Sequence, residues 1–189
     1  MSELPPHLRA FVAVRIPDDV ITQVAAFQNR VKPDFSAVSW TRPTAMHVTL
    51  QFLGNIGSAR LSELKEELRQ ATKNAAPFRL GLAGLGCFGN RVLWIGIETG
   101  VDSLNVLANA VRNATNTFAA HHETRAFNAH VTLGRLREPM RGASAMLRKT
   151  PPPVFQPWKV DHFELIRSEL SPKGSRYTTL ETFPLPLMH

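Results

Sequence analysis

The sequence has almost no cysteine and no long hydrophobic run. Cys87 is the single cysteine among 189 residues, so the chain cannot form an internal disulfide, which favours a reducing compartment. No apolar stretch approaches the roughly 18 residues of a membrane-spanning helix. Residues 1–7 also lack the basic and apolar regions of a signal peptide. We therefore expect a cytoplasmic protein that does not contact the membrane.

Acidic residues are scarce relative to basic ones. The chain has 15 Asp and Glu against 22 Lys and Arg, a formal net charge of +7, and this excess favours an anionic partner. Hydrophobic residues make up 43% and charged residues 20%, which is typical of a globular protein and excludes a disordered chain. At this length we expect one folded unit, a single domain over residues 1–189, acting as a monomer.

The usual sequence signatures of a cofactor are absent or stand in the wrong context. Gly84 to Gly89 satisfies G-x-G-x-x-G, but a strand pattern follows it where a dinucleotide site requires a helix. His121 and His122 have no further ligands at metal-binding spacing, and neither H-E-x-x-H nor a P-loop is present. We therefore predict that the protein uses no metal and no cofactor.

Period-2 and helical hydrophobic patterns are interleaved along the chain. Several neighbouring strand patterns are separated by short turn-forming segments, which indicates antiparallel hairpins and favours an α+β fold. Helices are predicted to begin near Asp18 and Ser58, the latter capped by the Ser58 side chain, and to cover 104–118 and 143–149. The predicted strands cover 10–16, 46–53 (ended by Gly54), 78–82, 92–97, 127–136, 163–167 and 177–180.

One four-residue word occurs twice. His47-Val48-Thr49-Leu50 is repeated without change as His130-Val131-Thr132-Leu133, each time within a predicted strand. Side chains alternate along a strand, so the histidine and the threonine of each word share one face and the two apolar residues share the other. The repeat predicts two similar halves related by a pseudo-twofold axis, with both histidines and both threonines lining a central cleft.

This set of side chains suits phosphoryl chemistry without a metal. Imidazole titrates near pH 6.5, so one histidine of a pair can accept a proton while the other donates one. Threonine hydroxyls can donate hydrogen bonds to phosphate oxygens. The alternative is a pair of inert histidines in the core, an explanation that suits an isolated His-x-Thr much better than a duplicated one.

Four segments, 9–17, 46–54, 125–135 and 175–180, carry a resemblance to a known family. The chain resembles the two-histidine (2H) phosphoesterase superfamily and, within it, the RNA 2′,3′-cyclic phosphodiesterases, also called 2′–5′ RNA ligases. The resemblance implies a bilobal fold of two mostly antiparallel sheets with flanking helices around a central cleft. It also implies metal-independent hydrolysis of RNA 2′,3′-cyclic phosphate ends to 2′-phosphates, with reversible 2′–5′ ligation. The implied partner is RNA or an oligonucleotide with such an end, tRNA fragments included.

The resemblance also implies roles for the repeated residues. His130 is assigned as the base, His47 as the acid, and Thr49 and Thr132 as phosphate ligands. The second motif departs from the family pattern because Ala126 and Ala129 stand where prolines are common, which loosens the approach to His130 without removing a chemical group.

Three further residues are candidates for substrate binding. Arg135 is suited to stabilising charge on the phosphate, although strict alternation from His130 places it on the far face unless the strand has a bulge or ends there. Arg125 and Tyr177 are candidates by motif match. Phe52 is expected to pack in the core, with base stacking by Phe52 or Trp40 as the alternative.

Two other functions remain open at this point. One is an RNA-binding module that holds RNA ends without turning them over. The other is a phosphoesterase that acts on a different cyclic phosphate or on a 2′–5′ oligonucleotide.

Overall fold

A computed structural model describes residues 5–35, 37–119, 126–171 and 174–187 of the chain. Within these residues the chain forms nine β-strands and four α-helices. In chain order they are β1 (His7–Arg15), α1 (Asp18–Val31), β2 (Val38–Trp40), β3 (His47–Gly57), α2 (Leu61–Ala71), β4 (Phe78–Phe88), β5 (Val92–Thr99), α3 (Val101–Thr115), β6 (His130–Leu136), α4 (Ala143–Leu147), β7 (Trp158–Val160), β8 (His162–Ser171) and β9 (Gly174–Pro184).

The strands form two antiparallel arms that meet at the middle of the sheet. The strand order is β7-β4-β5-β6-β3-β1-β8-β9, with β2 also paired to β6, and every pairing is antiparallel. β3 and β6, the two central strands, are joined by one residue pair, Val48 with Val131. The predicted α+β fold with mostly antiparallel sheets around a central cleft is confirmed.

Helices cover one face of the sheet and form the core with it. The apolar residues of both repeated words, Val48, Leu50, Val131 and Leu133, are at most 1% exposed. Each such side chain contributes about 1.5–3 kcal/mol when fully buried. Because side chains alternate along a strand, the histidines and threonines of the two words lie on the opposite face of the sheet. No helix in the part of the chain that the structure describes is both long and apolar enough to span a bilayer.

The predicted hairpins and helices are present, but most of them begin or end some residues away from the predicted bounds. β3 continues past Gly54, which has a φ of 70°, and pairs with the start of β1 as far as Gly57. The predicted capping role of Ser58 is wrong: a 3₁₀ turn over Ser58–Arg60 precedes α2, and the Ser58 hydroxyl donates to the carbonyl of Pro6 at 3.1 Å. The turn residues 172–173 of the last predicted hairpin lie outside the described residues.

Candidate active site

The two repeated words lie side by side across the junction of β3 and β6. Because the single pair between these strands joins the second residue of each word, His47 lies opposite Thr132 and Thr49 lies opposite His130. Side chains directly opposite each other on one face of a sheet are about 5 Å apart, and diagonal neighbours are about 7–8 Å apart. The two imidazoles are such a diagonal pair, and the interval between them suits one phosphate. All four side chains line one cavity of about 260 Å³.

A β-bulge in the second motif explains the direction of Arg135. In the pairing of β5 with β6, Thr132 and Gly134 have consecutive partners and Leu133 is skipped. One extra residue in a strand reverses the facing of everything beyond it. Arg135 therefore lines the same cavity as Thr132, although strict alternation places it on the far face.

The first motif contains a second bulge, at the residue equivalent to Leu133. Leu50 is skipped between Thr49 and Gln51 in the pairing of β1 with β3, and residues 47–53 have the same order of burial as residues 130–136. The position equivalent to Arg135 is Phe52, which lines the cavity and is 59% exposed. The expectation that Phe52 packs in the core is therefore wrong. The two halves present an aromatic ring and a guanidinium at equivalent places.

The two histidine rings make equivalent hydrogen bonds, each to the backbone carbonyl two residues before it. Nδ1 of His47 lies 2.8 Å from the carbonyl oxygen of Ala45, and Nδ1 of His130 lies 2.7 Å from that of Asn128. A carbonyl oxygen only accepts, so Nδ1 carries the hydrogen and donates it in each ring. Nε2 is then the nitrogen that is left to take a proton from a substrate, or to give one to it, in both halves.

Aromatic rings surround His47. Its imidazole stacks on Phe11, with ring centroids 4.6 Å apart and planes 28° apart, and the ring of Tyr177 meets it edge-on at 5.5 Å. Burial lowers the pKa of His47 to about 4, against the raising effect of the bond to Ala45, and the positive charge of Arg15 adds to the lowering. His47 is therefore neutral at pH 7 in the free protein.

His130 has a similar but separate environment. The ring of Phe88 meets its imidazole edge-on at 4.9 Å. Burial lowers the pKa of His130 below its usual value, the positive charge of Arg135 lowers it further, and the hydrogen bond with Asn128 opposes both effects. Both members of the histidine pair thus lose their protons more readily in the free protein than an exposed histidine does.

Of the remaining candidates for substrate binding, one lines the cavity and one packs elsewhere. Tyr177 lines the cavity beside His47, whereas Trp40 packs against Phe35 with ring centroids 6.3 Å apart. Arg125 lies outside the described residues, as do His121 and His122, so the predicted role of Arg125 stays a prediction.

The glycine-rich segment near Cys87 has a packing role. Gly86 lies in β4, and a Cβ added there would come within 2.1 Å of the Trp94 indole. The Trp94 ring stacks in turn on Phe88, at 5.0 Å between centroids. The absence of a side chain at Gly86 is therefore explained by the ring that covers it.

Sequence reasoning missed Gln28, which contacts the backbone of the cavity wall. It is 2% exposed, and its Nε2 donates to the carbonyls of Thr41 and Leu133. A signal was available, because a glutamine stands four residues after Val24, on the apolar face of a helix, where a buried amide needs hydrogen-bond partners.

The cavity is large enough for one phosphate, with an imidazole on each side that can give or take a proton. Two imidazoles are the kind of groups that can act as an acid and a base, and hydroxyls and a guanidinium suit phosphate oxygens. In residues 5–35, 37–119, 126–171 and 174–187, no group of three or more His, Cys, Asp or Glu side chains is arranged to hold a metal ion. Two His-x-Thr words that line one cavity from neighbouring strands place the fold and the site in the class of two-histidine phosphoesterases.

Comparison with known proteins gives the family. The model of the 2'-5' RNA ligase superfamily matches residues 16–172, and the chain belongs to that family. The RNA 2',3'-cyclic phosphodiesterase of Archaeoglobus fulgidus is 32% identical over 180 residues, which cover 93% of this chain and 99% of that protein. The resemblance seen in the sequence is confirmed.

Solved structures show the same fold. TT0787 of Thermus thermophilus has a TM-score of 0.81 and 31% identity, and the match covers 96% of this chain and all of that one. E. coli LigT complexed with 3'-AMP also has a TM-score of 0.81, with 26% identity over 95% of this chain and 98% of that chain.

Proposed function

We propose that the protein hydrolyses 2′,3′-cyclic phosphate ends of RNA to 2′-phosphates, with His47 and His130 as its acid–base pair. The observation that carries the proposal is the presence of both imidazoles, one from each repeated strand, at a single cavity. The A. fulgidus relative is an RNA 2',3'-cyclic phosphodiesterase and the E. coli LigT complex contains 3'-AMP, and both support the same substrate class.

The reaction needs two proton transfers at one phosphorus. The base takes a proton from water as its oxygen attacks phosphorus, and the bond from phosphorus to O3′ breaks while the acid protonates O3′. The product is a 2′-phosphate beside a 3′-hydroxyl. Thr49 and Thr132 donate to the non-bridging oxygens, and Arg135 balances their charge. When a 5′-hydroxyl of RNA and the cyclic phosphate are the reactants, the same pair joins them through a 2′–5′ bond.

The roles of the two histidines follow the order implied by the family resemblance, with His130 as base and His47 as acid. His130 must be neutral to act, and its lowered pKa favours that state. His47 must be protonated, which burial opposes in the free protein. The anionic phosphate supplies the compensating charge, since a nearby negative charge raises the pKa of an imidazole.

The low histidine pKa values predict where activity peaks with pH. kcat/KM reports the free enzyme, so its bell-shaped profile should peak below pH 6.5, between the pKa of about 4 for His47 and the lowered pKa of His130. kcat reports the complex, in which the bound anion raises both pKa values, so its maximum should lie at higher pH. Initial rates from pH 4 to 9 measure both curves. A kcat/KM maximum above pH 7.5 would contradict the electrostatics of the cavity.

A comparison of substrates tests the proposed function against its alternatives. Purified protein with a chelator is incubated with an oligonucleotide bearing a 2′,3′-cyclic end, with a cyclic mononucleotide and with a 2′–5′ dinucleotide. We expect turnover of the oligonucleotide, unchanged by the chelator, with a KM that rises with salt. Binding of the oligonucleotide without turnover would favour a non-catalytic RNA-end-binding module. Preferred turnover of either other substrate would favour a different phosphoesterase.

We also propose that residues 1–189 act as one bilobal domain, as a monomer in the cytoplasm. The cavity takes side chains from both halves of the same chain, so a second copy is not needed to complete it. RNA ends, including those of tRNA fragments, are the proposed partner in that compartment.

A further inference from the structure

Gln28 is a polar side chain in the core beside the cavity wall. It lies on α1 with 2% of its surface exposed. Its Nε2 donates to the carbonyl oxygens of Thr41 at 2.8 Å and Leu133 at 2.9 Å. A buried amide is tolerated when it is hydrogen-bonded, and here both bonds go to backbone that carries the site.

The two acceptors belong to two separate segments of the cavity wall. Leu133 is the skipped residue of the β6 bulge, and its carbonyl also accepts the backbone N–H of Thr41 at 2.9 Å. Thr41 follows β2 and lines the cavity, as does Arg135, two residues beyond the bulge. One amide therefore joins α1, the segment after β2 and the bulge.

The bulge decides which way Arg135 faces. A slip of one residue beyond Thr132 would return the guanidinium to the far face of the sheet. β2 also fits closely at this point, because a Cβ added to Gly134 would lie 2.6 Å from Cγ1 of Val38. In the equivalent bulge of β3, no side-chain hydrogen bond between described residues reaches the carbonyl of Leu50. The amide thus supports the half of the site that presents the charged side chain.

We propose that Gln28 is a positioning residue that fixes the β6 bulge and so keeps the Arg135 guanidinium directed at the phosphate. This inference rests on the proposed function for the identity of the bound group. Gln28 acts through the backbone of Leu133 and does not itself touch substrate.

A double-mutant cycle separates positioning from general support of the fold. Gln28→Met keeps the volume of the side chain and removes the donor. We expect it to lower kcat/KM on the cyclic-ended oligonucleotide about tenfold, but less than about twofold when Arg135 is already alanine. Equal losses in the two backgrounds would overturn the proposal, because a structural role costs the same with or without the guanidinium.

Thr115 offers a matched control. It is fully buried, and its hydroxyl donates to a backbone carbonyl of its own helix, that of Val111, at 2.8 Å. Thr115→Val removes a buried hydrogen bond whose donor and acceptor both lie in α3, and it should leave kcat/KM within about twofold of wild type. A loss equal to that of Gln28→Met would show that any lost buried hydrogen bond has this effect, and would overturn the proposal.

Hydrogen exchange gives a readout that does not depend on activity. The Thr41 amide, which donates to Leu133, should exchange about tenfold faster in Gln28→Met than in wild type or Thr115→Val. Unchanged protection of Thr41 would contradict the role of the amide. If Gln28→Met does not fold, Gln28→Leu is measured in the same way, since its apolar side chain suits a buried site and cannot donate.

Binding of inorganic phosphate distinguishes failure of this proposal from failure of the proposed function. If wild-type protein leaves cyclic-ended RNA unchanged, the proposed function fails, and the same cycle is measured as the dissociation constant for phosphate by NMR titration. Weakening by Gln28→Met only when Arg135 is present supports positioning. Equal weakening in both backgrounds overturns it.

Discussion

Replacing His47 or His130 by alanine should lower kcat on a cyclic-ended oligonucleotide by about 10³–10⁴-fold, near the upper end of what one acid or base contributes. Each variant removes one of the two proton transfers, and no other histidine lines the cavity among the described residues. The double variant should be little worse than either single one, because the two groups act on one phosphorus in one step. Steady-state or single-turnover rates measure this, with the melting temperature as a check on folding.

The same variants test which histidine is the acid. A diester whose leaving group needs no protonation, such as a nitrophenyl ester, should recover more activity in His47→Ala than in His130→Ala. His162→Ala is the control, because His162 lies outside the cavity beside Asp161 and should keep full activity. Near-normal turnover in either cavity variant would refute its role. Greater recovery in His130→Ala would reverse the assignment.

Replacing Arg135 by alanine should lower kcat by about 10²–10³-fold, the effect expected when one donor to a developing charge is lost. The guanidinium faces the cavity because of the bulge at Leu133, and it has no ion pair with a carboxylate among the described residues. Its charge also lowers the pKa of His130, so the variant should move the kcat/KM optimum to higher pH. Kinetics over a pH series measure both effects.

Arg137 is a matched control for the loss of one positive charge. It lies next to the end of β6, is exposed, and does not line the cavity. Arg137→Ala should change KM modestly, through the overall field, and leave kcat within about twofold. If the two arginine variants lose equal activity, net charge explains the effect and the placement of Arg135 does not.

The longer elements of this fold could be predicted from sequence because each has a clear hydrophobic period. The stripe of Val20, Val24 and Val31 predicts α1, and alternation with turn residues predicts the hairpins. β2 and β7 have three residues each, too few to show a period. The β3 strand passes through Gly54, since glycine tolerates a positive φ without ending the pairing.

The pair of motif strands could be predicted at residue level, and the facing of the residues that follow them could not. A repeated word and strand alternation bring His47 and His130 to one face. The direction of Phe52 and Arg135 depends on bulges at Leu50 and Leu133, which arise in the pairing with β1 and β5. A leucine in a strand gives no local sign that it will be skipped.

The protonation of the site depends on contacts between distant segments. Phe11 and Tyr177 pack on His47 from β1 and β9, and their burial of the ring gives its low pKa. The sequence supplies only the ordinary imidazole value near 6.5. Tertiary packing therefore moves the expected kcat/KM optimum from neutral to mildly acidic pH.

Identification of the RNA end after reaction tests the central claim most directly. An oligonucleotide with a 2′,3′-cyclic end is incubated with the purified protein, and the product is analysed by phosphorus NMR and by treatment with a phosphatase. If the acid protonates O3′ opposite the attacking water, the product is a 2′-phosphate next to a free 3′-hydroxyl. Recovery of a 3′-phosphate, or of the unchanged cyclic end, would contradict the account.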